Sequence, residues 1–92
     1  MTENRENVLA RREIVAAYVA VSSRLDEFVR VCSTVQGGRE ELRGAVQEAF
    51  GLTEIAADAV LAMQLHRLSP SERWRAEDEL AALDAQLART GA

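Results

Sequence analysis

Apolar positions along this chain recur at helical spacing almost throughout, and no stretch alternates in the manner of a strand. From Ile14 the series Ile14, Tyr18, Val21, Leu25, Phe28, Cys32 and Val35 advances by 4, 3, 4, 3, 4 and 3 residues. That is a heptad seam, and it predicts a helix over about residues 3–35 with one stripe laid against a partner helix. Continued backwards, the register meets Arg11 and Asn7, so near the N-terminus only Val8 and Leu9 supply apolar contacts. At ~1.5 Å per residue this rod is roughly 45–50 Å long, more than the width of a compact ball of this size, so it must project.

Gly37 and Gly38 end the rod. A short helix follows, about Arg39 to Phe50, with Leu42, Ala45, Val46, Ala49 and Phe50 on one face. Gly51 suits the left-handed residue beyond its end, with Leu52 folding back toward Val46. Thr53 then caps a third helix. In "SPSE", Ser69 accepts from a free amide, Pro70 fills the first turn, and Glu72 reaches back to Ser69. The fourth helix runs from Pro70 to about Arg89, and Ala76, Leu80, Leu83 and Leu87 make a second seam. Short connections make neighbouring helices antiparallel. The expected fold is all-α and a single domain over residues 1–92. Its first and last helices (about 3–35 and 70–89) form an antiparallel two-helix coiled-coil arm, ending in a small helical dimerisation knob at about 38–68.

The third helix breaks the pattern. Ile55, Ala56, Ala57, Ala59, Val60, Leu61, Ala62, Met63 and Leu65 point in nearly every direction, while Glu54, Asp58, Gln64 and His66 never gather into a polar face. Such a helix needs neighbours on more than one side. A chain of 92 residues buries only roughly 60–65% of the surface its unfolded form exposes. It has four aromatic residues to fill its core: Tyr18, Phe28, Phe50 and Trp74. A partner chain supplies the missing surface. Ile55, Ala59 and Met63 share one side, completed by His66, and form the expected dimer contact; Ala57, Val60, Leu61 and Leu65 pack inward.

Charge and composition narrow the function. A net charge of −4 argues against a nucleic-acid footprint, so DNA contact is weak or none. All eleven cationic side chains are Arg, which reads with the Ala richness as coding bias. The single Cys32 rules out an internal disulfide and reads as a buried small hydrophobe. No apolar run reaches ~20 residues and the first twelve residues are too polar for a signal peptide, so no membrane is implied and a cytoplasmic location is expected. One His and one distant Cys make no metal site, and no cofactor is implied.

The stretch "FGLTEIAADAVLAMQLHRLSPSERWRAEDELAAL" resembles the coiled-coil and lower-gate region of the A subunits of DNA gyrase and topoisomerase IV. The family pattern is Phe-x-Leu-Ser/Thr-Glu, then Ala-x-Ala-Ile-Leu-x-Met-x-Leu, then Leu-Thr and a Glu-rich helix. It is met here by Phe50, Leu52, Thr53 and Glu54, then Ala57, Ala59, Val60, Leu61, Met63 and Leu65, then Leu68, Ser69 and Glu72. "RREIVAAYVAVSSRLDEFVRV" looks like that family's incoming arm helix, so the resemblance runs from about Arg11 to Leu87. It implies paired arms ending in knobs through which two subunits meet, a homodimer, and a candidate partner in a gyrase or topoisomerase A subunit. The family's DNA-cleaving tyrosine belongs to a preceding domain outside these residues, so the resemblance implies a non-catalytic module. Tyr18, the one tyrosine, lies on the arm seam and reads as core.

Single residues add less. His66 at a helix end suits a cap or an interface. Arg67 suits carbonyl capping or an ion pair, and Glu72, Glu77, Asp78 and Glu79 suit a solvated face. Trp74 replaces a residue that is usually polar in the family; it is either a lid over Leu68 or a candidate partner contact. Two other classes fit less well. A dimeric helical enzyme of chorismate-mutase type lacks its Arg, Lys and Glu or Gln cavity, and a DNA-binding helical protein conflicts with the net acidity.

Overall fold

The computed structural model describes residues 5–63 and 69–89. Among them are five helices and no strand: α1 (Arg5–Ser23), α2 (Leu25–Thr34), α3 (Arg39–Phe50), α4 (Glu54–Leu61) and α5 (Pro70–Arg89). The chain is all-α as expected. Its shape is elongated, with extents of 45 × 26 × 18 Å.

The local signals act as their chemistry predicts. Gly51 adopts φ +65° beyond α3, which leaves the Gly51 and Leu52 amides free to donate to Gln47 O, Leu52 at 3.0 Å. Thr53 Oγ1 accepts from Ala56 N at 3.1 Å and so caps α4. Before α5, Ser69 Oγ accepts from Glu72 N at 3.4 Å and Arg73 N donates to Ser69 O at 2.9 Å. The Glu72 carboxylate lies 3.7 Å from Arg75, an i,i+3 pair, rather than closing a box on Ser69.

At the start of α3 the Glu41 carboxylate accepts from Gly38 N at 2.8 Å. Its own amide and that of Gly38 hold the carboxyl below its ordinary value. A depressed folded value means the contact stabilises above the unfolded carboxyl range near ~4.3 and is lost as pH falls through the folded value. Amide exchange at Gly38 is therefore expected to quicken, relative to amides inside α3, as pH falls below the ordinary carboxyl range. A Glu41→Gln chain is expected to lack that step.

Two expectations about the first rod are corrected. The first rod is not continuous, since Arg24 (φ −127°, ψ 48°) separates α1 from α2. Ser23 Oγ donates to Val19 O at 2.8 Å, a back-bond that bends helices. The Arg24 side chain is drawn away to α3, donating to Ala49 O at 3.1 Å and lying 4.3 Å over the Phe50 ring. The seam is also wider than one heptad stripe. Val8, Val15, Ala17 and Val21 are the fully buried positions of α1, while Ile14 and Tyr18 are half-buried. The reason is packing on two sides, by α5 and by α4, so burial spreads over a broader arc than a two-stranded seam needs.

On its α4 side, α1 contributes Ala17 and Val21 to a core cluster with Ala56 and Val60. Tyr18, Phe28, Phe50, Leu52 and Met63 close over it, and Phe28 meets Phe50 edge-on at 6.2 Å. The alanines let α4 approach α1 closely. Along its other length α1 is joined to α5, where Ala76, Leu80, Leu83 and Leu87 are all half-buried. Arg11 Nε to Glu79 (2.6 Å) and Arg12 Nε to Asp84 (2.5 Å) flank that contact. Both pairs are well exposed and contribute about 0–1 kcal/mol each, so apolar contact does most of the joining. Cys32 is half-buried rather than buried, and burial pushes its thiol upward.

Candidate functional site

Helix α4 has two sides of different character. Ala56, Ala57 and Val60 are buried against the chain's own α1 and α3. Ile55 stands out, being 65% exposed next to those buried neighbours. Ala59 and Met63 are half-buried, and Met63 also closes over the core cluster. The expected stripe is thus graded from exposed at Ile55 to shared at Met63. His66, which completes that stripe in the sequence, lies outside the described residues, as do Leu65 and Arg67. Of the expected inward residues, Ala57 and Val60 are buried and Leu61 is half-buried.

The scattered acids of α4 have a use that their spacing conceals. Glu54 and Asp58 are one turn apart, and both reach Arg43 of α3, at 3.1 and 3.5 Å. Arg39 stands 4.0 Å from the second Asp58 oxygen, which is buried without a hydrogen-bond partner. These ions bind α4 to α3 and leave the Ile55 side apolar. The signal in the sequence was the Arg39/Arg43 pair at i,i+4, which reads equally well as a solvated face.

Trp74 is 59% exposed on α5, flanked by Arg73 and Arg75. That exposure shows a ring left largely to solvent by this chain. Its other expected neighbour, Leu68, lies outside the described residues.

A groove of about 470 Å³ runs between α1 and the α3–α4 turn, and sequence reading missed it. Ala16, Ala20, Gly51 and Leu52 line it, and Glu13 crosses its wall to accept from the Thr53 hydroxyl. Its two sides are about forty residues apart, so no local pattern announces it. Leu9 (43% exposed) at its rim and Val29 (56%) on α2 are the other large apolar side chains left open among the described residues. Among the described residues no group of His, Cys, Asp or Glu is arranged to hold a metal ion, and no helix is long and apolar enough to cross a membrane. The open surface has the chemistry of contact: Leu9, Val29, Ile55 and Trp74 are large apolar side chains left exposed on helices.

No protein-family model matches the chain. Individual proteins do. Over 74 residues it is 36% identical to the DNA gyrase A subunit of Helicobacter pylori, taking in 80% of this chain and 9% of that protein. Over 81 residues it is 36% identical to the DNA gyrase A subunit of Mycobacterium tuberculosis, with 85% of this chain and 9% of that protein covered. The topoisomerase subunit TopoM of Mycolicibacterium smegmatis is 34% identical over 85 residues, 90% of this chain and 12% of that protein. The chain spans about a tenth of the length of these relatives.

Proposed function

We propose that this chain, similar over most of its length to one short segment of the DNA gyrase A subunits, is a non-catalytic dimerisation module. Two copies meet through the open side of α4, with α1 and α5 as an antiparallel arm behind it. Ile55 carries the proposal: it is 65% exposed on the helix whose Ala56, Ala57 and Val60 are buried in the core. Ala59 permits close approach and Met63 couples the contact to the core, while His66 completes the row in the sequence. Trp74 is a second contact, where an exposed aromatic ring between two arginines suits an interface anchor.

The same surface supports pairing with a gyrase or topoisomerase A subunit, since relatives of this segment are parts of such subunits. Such a mixed pair would make the module a regulator of the full-length enzyme. Light scattering tests the dimer, with Ile55→Glu as the disrupting change. Capture of the tagged chain from cell extract tests the mixed pair. An eluate that contains neither a gyrase nor a topoisomerase relative ends the regulatory reading and leaves the homodimer standing.

A further inference from the structure

The joint at Arg24 sets local and tertiary preference against each other. Locally the apolar spacing runs straight through the joint, and the local signal for a bend is the Ser23 back-bond to Val19 O. The spacing Val21–Leu25–Phe28 crosses the joint without a break, and neither Gly nor Pro occurs there. Arg24 is a poor start for α2: no side chain caps the helix, so the amides of its first turn, from Leu25 to Glu27, lack the partners that a continuous helix would provide. Only a short span is irregular, since Arg24 N donates to Val21 O at 3.1 Å and Phe28 N to Arg24 O at 3.0 Å.

Tertiary contacts hold the break open, and they converge on one side chain. The Arg24 guanidinium donates to Ala49 O at the C-terminal end of α3, where the helix dipole favours a cation. It lies over the Phe50 ring at 4.3 Å and is steadied by Glu27 at 2.6 Å. Phe28, just past the joint, meets the same Phe50 ring. A few contacts of modest strength, half exposed to water, thus oppose the recovery of the first-turn hydrogen bonds.

We infer that Arg24 is the latch of a two-state joint, whose alternative state is one unbroken helix over residues 5–34. In the latched state α2 is turned onto α3. Release straightens the helix, withdraws Phe28 from Phe50 and uncovers the end of α3. The joint is a conformational device separate from the α4 contact, and its test does not depend on oligomeric state.

Residue-resolved amide exchange on the whole chain reads the joint directly. In the native chain the Leu25, Asp26 and Glu27 amides exchange quickly, as an uncapped first turn does. In Arg24→Ala they are expected to exchange at least about tenfold more slowly, because the continuous helix bonds them to Val21, Ser22 and Ser23 carbonyls. Phe50→Leu, which keeps an apolar side chain but removes the ring, is expected to slow them in the same direction by less. Slowing in both variants supports the latch, and slowing in Arg24→Ala alone supports it with the ring as a bystander. Unchanged or faster exchange at these amides in Arg24→Ala overturns it. Loss of helical signal in that variant also overturns it, since Arg24 would then hold the fold and not a state of it.

Discussion

Ile55→Glu is expected to turn a dimer into a monomer while leaving helical content unchanged. In the lone chain residue 55 faces solvent in the first turn of α4, beside Glu54, where an acidic side chain is welcome to the helix dipole. The fold therefore loses little. In the proposed dimer the same position is dry, and burying an isoleucine there contributes up to about 1.5–3 kcal/mol. A symmetric interface presents each substitution twice, and each buried carboxylate adds a desolvation cost. Dimer affinity is expected to fall at least about 100-fold, or about 2.8 kcal/mol by the usual conversion. Multi-angle light scattering over a concentration series reads this loss. Met63→Glu is a poorer test, since Met63 packs on the core cluster and the change disturbs fold and contact at once. Trp74→Ala in the same series separates an anchor, which weakens the dimer, from a lid, which does not. A native chain that stays monomeric at high micromolar concentration, or an Ile55→Glu chain as dimeric as the native one, rules the proposal out.

Val21→Asp is expected to unfold most of the chain. Val21 has no exposed surface and sits at the centre of the cluster with Ala17, Ala56 and Val60. No cationic side chain belongs to that cluster. The substitution removes a buried apolar group and places an unpaired charge where water cannot reach, a combination that costs on the order of 4 kcal/mol or more. Domains of this size are stable by only about 5–15 kcal/mol. With a urea slope of about 1–3 kcal/mol per molar, the midpoint should fall by at least roughly 1.3 M. Val29→Asp is the control, since Val29 is 56% exposed on α2 and the change there should stay within about 0.5 kcal/mol. Equal midpoints for the two variants would show that the core lies elsewhere.

Helical class, the Gly37-Gly38 break, the bounds of α3, the Gly51 turn and the Thr53 and Ser69 caps were all legible in the sequence. Each rests on residues within about five positions of one another, where backbone sterics and short side-chain hydrogen bonds leave few choices. The resemblance to gyrase A subunits was legible for a related reason, since the spacing of Phe50, Leu52, Ala57, Val60 and Leu61 is local too.

What the sequence could not determine depends on residues far apart. The heptad spacing predicts one rod through Arg24, yet α1 stops there because Arg24 finds Ala49 and Phe50 on another helix. The spacing also marks Ile14 and Tyr18 as seam, whereas full burial falls on Val15 and Ala17 because α1 has neighbours on two sides. The acids of α4 look scattered until Arg43 of α3 gathers Glu54 and Asp58. Only that arrangement separates an apolar open side, led by Ile55, from the side that builds the core. Periodicity states which side chains avoid water; which of them are covered by their own chain is decided by where the helices come to rest.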